Sequence, residues 1–249
     1  MLYRSATLYS DPVGTSEPSR RQRLREQTTA EIKDTALSLM SSGGPDAITL
    51  RAIARRMGMT PNAIYGYFAT RDDLITTLID ELYTSLVDAV ETARDAHPAD
   101  DPAGRIQAWG ESFRSWSLAN PEGFRLIYGD PVRDYQPPEG GAAPEAQHRA
   151  CLGLVGLAVG AWPRVHDKDA SSYRWSDFDK GLVGKVREAF PDQPPGVLAL
   201  ALRLWGRFQG LVSLEIYGHL RYQTARPAKL YRDELAATLR SLNLTPSGR

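Results

Sequence analysis

Apolar residues recur along this chain at intervals of three and four, segment after segment, and no stretch keeps the period of two that a strand requires. Ile32, Ala36, Leu37, Leu39 and Met40 give an inward face to a helix of about residues 24–42, which Gly43-Gly44-Pro45 stops. Leu74, Leu78, Leu82, Leu86 and Val90 hold one four-residue spacing through a long helix of about 71–96. His97-Pro98-Ala99-Asp100-Asp101-Pro102 breaks the pattern, and helices are predicted beyond it at about 103–119, 121–129, 144–162, 178–190, 196–220 and 228–242. Pro131, Pro137-Pro138, Gly140-Gly141 and Pro144 mark a loop, as do Pro163 and Pro191 to Pro195. The fold class that follows is all-α. Residues 1–19 mix Ser, Thr, Pro and Gly without periodicity and read as a disordered tail.

The most informative segment is Thr49 to Leu74, TLRAIARRMGMTPNAIYGYFATRDDL. Leu50, Ile53, Ala54 and Met57 make one buried stripe, while Arg51, Arg55 and Arg56 fall outside it. Gly58 supplies the left-handed backbone of a sharp turn. Thr60 and Pro61 are an N-cap and a first-turn proline, so a second helix starts there, anchored by Ile64 and Phe68. Asn62, Ala63, Tyr65 and Tyr67 are left facing outward. Two short helices about a glycine turn are the layout of a helix-turn-helix, whose second helix enters the major groove of DNA.

This segment resembles the DNA-binding domain of the TetR/AcrR family of one-component transcriptional regulators. The family run "LYYHF-x-x-K-x-x-L" is matched by Ile64-Tyr65-Gly66-Tyr67-Phe68-Ala69-Thr70-Arg71-Asp72-Asp73-Leu74, with Gly66 for a bulkier residue and Arg71 for the commoner Lys. The resemblance covers about residues 24–75. It implies a tail at 1–19, a three-helix DNA-binding domain at 20–70, a connecting helix at 71–96, and a helical ligand-binding and dimerisation domain at 97–249. Asn62 is the side chain able to make a bidentate contact to adenine, and Ala63 to touch a thymine methyl, beside Thr60 and Pro61. Thr49, Tyr65, Tyr67 and Arg71 are expected at phosphates, with Arg51 as a further candidate.

Charge supports this division. The chain carries 30 basic and 30 acidic residues and no net charge. Yet residues 20–71 hold nine Lys/Arg against four acids, a net of +5, which leaves the remainder net acidic. The run Arg20-Arg21-Gln22-Arg23-Leu24-Arg25 leads into the first helix, either as a minor-groove arm or as a solvated, frayed terminus. The N-terminus lacks the apolar core of a signal peptide, no uninterrupted apolar run approaches about 18 residues, and the single Cys151 excludes an internal disulfide. A cytoplasmic protein off the membrane is expected, with Cys151 packed in an apolar helix.

No catalytic or metal-binding constellation emerges. Glu145-Ala146-Gln147-His148 has the Glu-x-x-His spacing of di-iron bundles but lacks a second copy. His97, His166 and His219 are isolated, and no cofactor motif is present. The distinctive chemistry of the second half is aromatic. Trp109, Phe113 and Trp116 share a helix face and, with Phe124, Tyr128, Trp162 and Phe208, are expected to wall a cavity for a small apolar effector.

The run Trp205-Gly206-Arg207-Phe208-Gln209-Gly210 resembles a Trp-x-x-x-His-Gly motif of one regulatory-domain subclass, with Gln209 for His. Helix 196–220 is apolar on more than one face, and Gly206, Gly210 and Gly218 suit close helix approach. Homodimerisation through a four-helix bundle is what the resemblance implies. A repressor released from a palindromic operator by a small effector is the expected function. The alternatives are a helical ligand-binding protein without selective DNA binding, or an enzyme using the aromatic pocket.

Overall fold

In the computed structural model, residues 19–165 and 172–245 are described; the expectations for most of the N-terminal tail and for His166 lie outside them. Among the described residues the chain forms ten α-helices, a few short 3-10 turns and no strand. They are α1 (Arg20–Gly43), α2 (Leu50–Met57), α3 (Pro61–Tyr65), α4 (Arg71–Asp95), α5 (Pro102–Ala119), α6 (Pro121–Tyr128), α7 (Pro144–Ala161), α8 (Lys180–Ala189), α9 (Pro195–Ile216) and α10 (Pro227–Ser241).

Local chemistry starts and stops these helices. The hydroxyls of Thr49, Thr60 and Thr70 each accept an N–H from the first turn that follows. At the start of α4 the Asp73 carboxylate returns the favour to the Thr70 N–H, closing a capping box. Gly58 ends α2 at φ 66°, the left-handed conformation its position requires.

Two apolar cores meet along α4. One gathers Ile32, Ala36, Met40, Ile48, Leu50, Ile53, Ile64 and Phe68 around Leu74, Ile75 and Leu78. The other packs Leu86 and Val90 with α5, α6, α7, α9 and α10. Leu82 touches both. The first core also takes Leu126 from α6 and Val132 from the loop after it, so the boundary near residue 70 does not confine it.

The second core is pinned by specific polar bonds. The Trp116 indole donates to Ser85 of α4 at 3.0 Å, and the buried Tyr231 hydroxyl donates to the Gly110 carbonyl at 2.8 Å. Arg114 of α5 makes a two-pronged, half-buried ion pair with Glu215 of α9.

Two expectations change. The basic run from Arg20 to Arg25 is helical, because Ser19 caps α1 just ahead of it, so it is no extended arm. Helix α9 ends at Ile216 and Gly218 adopts φ 79° in the following turn, so this glycine belongs to a helix stop and not to a helix-packing stripe. By length and composition α9 could cross a membrane, with a mean hydropathy of 1.3 over 18 residues. Instead Val197, Leu198, Ala201, Leu204, Phe208 and Val212 bury one face of it in the second core.

Close packing in this core has a mechanical consequence at Gly153 of α7. A Cβ there would lie 2.4 Å from the ring of Trp109. Gly153→Ala is therefore expected to destabilise the fold by about 1–3 kcal/mol. A thermal melt should show Tm lowered by several degrees, whereas Gly184→Ala, which meets nothing within 4 Å, should not lower it.

Candidate functional site

The outward surface of the first core is built by α2 and α3. Pro61, Asn62 and Tyr65 are exposed, while Ile64 is fully buried and holds the short helix in place. The helix proper ends at Tyr65, one turn before the expected end, but the Phe68 N–H still bonds the Ile64 carbonyl at 3.1 Å and its ring is buried. Thr49, Arg51, Tyr65 and Arg71 line one open cleft with Leu50, Ala69 and Thr70. Four residues expected at phosphates are thus brought together from three segments. The Thr49 and Thr60 hydroxyl oxygens accept helix N–H groups, which leaves their protons free to donate outward.

Two of the expected contacts have other engagements. Tyr67 is half-buried, with the Arg25 guanidinium 5.0 Å above its ring and bonded to the Gly66 carbonyl at 2.9 Å. Arg71 bonds the Ile48 carbonyl at 2.7 Å and the Arg133 carbonyl at 2.9 Å. It is the centre of a strap. The Arg133 N–H donates to Asp46 at 3.3 Å, the Gln136 N–H to Asp72 at 3.2 Å, and Tyr135 shares a 2.8 Å hydrogen bond with Thr76. Val132 is buried beneath them. The loop that follows α6 is therefore bolted to α4 and to the 3-10 turn ahead of α2. Nothing in the local pattern of residues 131–136 announces this; only Arg71, a lone cation at a helix start, hinted at a fixed role.

The second core encloses a cavity of about 180 Å³. Trp109, Phe113, Tyr128 and Phe208 line it as expected, but Trp116, Phe124 and Trp162 do not. Trp116 turns its indole to Ser85, Phe124 is wholly buried against Phe113 and Tyr128, and Trp162 lies in the 3-10 turn that ends α7. Seven aromatics spaced for one helix face or another cannot all reach one void. Lining residues that the sequence did not place at the cavity include Tyr83 of α4, Gln147 and Cys151 of α7, and Leu202 and Trp205 of α9. Gln147 and Cys151 are one helical turn apart, a spacing that could have been read; Tyr83 lies off the α4 leucine stripe. Cys151 is only half-buried and faces the cavity, not solid packing.

The polar groups of this cavity are held neutral. Burial pushes the Tyr128 hydroxyl well above its usual pKa, and the neighbouring Tyr83 adds to the effect. Burial also raises Tyr83, partly opposed by the neighbouring Tyr128. The Cys151 thiol is raised by burial, with Lys185 opposing. Among the described residues no three His, Cys, Asp or Glu side chains gather to hold a metal ion.

Comparison with known proteins places this architecture. Residues 32–78 match the family profile of bacterial regulatory proteins, tetR family, and residues 106–238 match that of the tetracyclin repressor-like C-terminal domain. An HTH-type transcriptional regulator of Mycobacterium tuberculosis, Rv1816, is 32% identical over 210 residues, spanning 82% of this chain and 87% of that protein. The chain belongs to the TetR family of bacterial transcriptional regulators.

Other similarities agree. The HTH-type transcriptional regulator BetI 2 of Chromohalobacter salexigens is 29% identical over 59% of this chain and 78% of its own length. The crystal structure of the regulatory protein SCO4313 superposes with a TM-score of 0.69 at 30% identity, covering 89% of this chain and all of that one. A tetR-family protein from Rhodococcus RHA1 shares the fold with a TM-score of 0.61 at 16% identity, covering 88% and 98% of the two chains.

The strap predicts its own weak point. Arg71→Ala removes the donors to two carbonyls that link the helix-turn-helix to the post-α6 loop, at a cost of about 1–3 kcal/mol. Hydrogen exchange should accelerate at 132–136 and around Ile48, with little change in α7, α9 and α10.

Proposed function

We propose that this TetR-family regulator is a homodimeric repressor that leaves a palindromic operator when a small, largely apolar effector fills the cavity. The carrying observation is the exposed N-terminal end of α3, where Pro61 and Asn62 project beside a cleft lined by Thr49, Arg51, Tyr65 and Arg71. Asn62 reads an adenine through two hydrogen bonds, and Ala63 touches a thymine methyl. Thr49, Thr60, Arg51 and Tyr65 hold phosphates and fix the register. Arg71 lends its charge to the cleft while its bonds hold the strap, and Arg25 braces Tyr67 at the back of the reading helix. A regulator that works on genomic DNA acts in the cytoplasm.

Dimerisation is supported by the uncovered face of α9. Leu202, Leu214 and Tyr217 are about 40% exposed along it, and Gly206 and Gly210 between them have open space where a side chain would stand. Such a face suits a second copy of the same helix across a two-fold axis. The two reading helices then meet half-sites about one helical turn apart, roughly 34–36 Å.

Release follows from geometry that joins the cavity to DNA by two routes. Tyr83 on α4 and Tyr128 at the end of α6 both line the cavity. Helix α4 begins directly after the α3 turn, and the strap begins directly after α6. An effector that binds better to one arrangement of these helices shifts the population away from the DNA-binding spacing.

Selection of random duplex DNA by the purified protein should recover a palindrome; recovery of no preferred sequence by a folded dimer would remove the regulator reading. Asn62→Ala should relax preference at one base pair per half-site, a loss of about 1–3 kcal/mol of discrimination. Arg51→Ala should weaken all sequences alike and lower the slope of log affinity against log salt by about one per protomer. Gly210→Arg should leave helix content unchanged, since the site is open, and yield a 27.5 kDa monomer by light scattering.

A further inference from the structure

We propose that the cavity receives an uncharged molecule with an apolar body and a hydrogen-bonding group that docks at the hydroxyls of Tyr83 and Tyr128. This inference deepens the effector reading above and rests on it for its consequence at DNA.

Charge is the first argument. None of the eighteen residues lining the cavity is Asp, Glu, Lys, Arg or His. The Arg94 guanidinium covers the Trp109 ring at 5.6 Å and is itself held by both oxygens of Asp95, so it offers the cavity no counter-charge. Lys185 stands on the exposed side of α8, acts on Cys151 from outside and is not a lining residue. A carboxylate or ammonium entering this space loses its hydration without a partner, which costs several kcal/mol. An uncharged guest escapes that penalty.

Size and shape are the second. A dry cavity of about 150 Å³ lined by apolar side chains accommodates benzene. The space here is about 180 Å³ and is walled by Trp109, Phe113 and Phe208, which suits a compact ring system. Its rim carries the half-exposed Trp205, where a longer guest has room to continue.

The third argument is where the polar atoms are. Tyr83 and Tyr128 pack edge-on with ring centroids 6.1 Å apart, and both line the cavity. Two neutral phenols offer both donor and acceptor to a hydroxyl, carbonyl or amide of the guest. They also belong to different helices, α4 and α6. A guest group that bonds both hydroxyls links the two helices. Any increase in their separation acts on the two elements that hold the reading helix.

The test uses the full-length protein and three probes with one skeleton: naphthalene, 2-naphthol and 2-naphthoate, titrated calorimetrically at pH 7. One hydrogen bond of about 1.4 kcal/mol corresponds to tenfold. 2-Naphthol should thus bind about tenfold more tightly than naphthalene, and 2-naphthoate more weakly than either. Tyr83→Phe and Tyr128→Phe keep the rings that pack the site and should bring 2-naphthol to within about threefold of naphthalene, with naphthalene affinity unchanged. Cys151 is the only cysteine of the chain and lines the cavity, so bound 2-naphthol should slow its alkylation by iodoacetamide.

Equal binding of 2-naphthoate and 2-naphthol overturns the inference, as does a naphthol preference that survives both tyrosine substitutions or binding that leaves Cys151 unprotected. Failure of every probe to bind, in a preparation that still selects a palindrome, overturns the inference alone. Tyrosine-dependent binding of 2-naphthol by a protein that selects no DNA sequence supports the cavity inference and removes the regulator reading.

Discussion

One helix is buried in two cores, and the rest of the molecule is arranged around that constraint. The first turns of α4 place Leu74, Ile75 and Leu78 in the helix-turn-helix core, and its later turns place Leu86 and Val90 in the aromatic core. At 25 residues it is about 37 Å long. Such a rod cannot change its angle in one core without being felt in the other, because both ends sit in close-packed surroundings. The capping box at Thr70 and Asp73 fixes where the rod begins, immediately after the turn that follows the reading helix.

A single rod would leave the helix-turn-helix free to swing about its end, and the post-α6 strap supplies the second attachment. Arg71 is the point where the two meet: it starts α4, bonds the backbone just before α2 and bonds the backbone of the strap. Leu126 and Val132 add apolar burial beneath these polar bonds. The cavity lies upstream of both attachments, since Tyr83 belongs to α4 and Tyr128 closes α6. The cavity wall and the helix-turn-helix are therefore joined by two elements in parallel, and a change in either alone is resisted by the other.

The aromatic core also illustrates how a cavity arises beside close packing. Gly153 lets Trp109 lie against α7, and Gly110 gives Phe208 and Leu235 the same freedom against α5. The void remains where the half-buried Cys151, Leu154 and Leu182 of α7 and α8 meet the exposed Trp205 of α9. There the packing is incomplete and the wall is partly open.

What the sequence determined by itself is everything carried by short-range periodicity and local hydrogen bonding. The four-residue stripe of α4, the threonine caps at Thr49, Thr60 and Thr70, the left-handed Gly58 and the outward Asn62 depend on neighbours within one or two turns, so they were legible without a fold. Tertiary structure alone decided which side chains converge across helices. A period of 3.6 says that Trp109, Phe113 and Trp116 share a face, but not that Trp116 would find Ser85 while its neighbours face a void. Nor could spacing reveal that Tyr83, Tyr128 and Cys151 would share a wall, or that Arg71 would bind a carbonyl 62 residues away. Those contacts depend on helix crossing angles and on the space left between helices, which no local pattern of residues encodes.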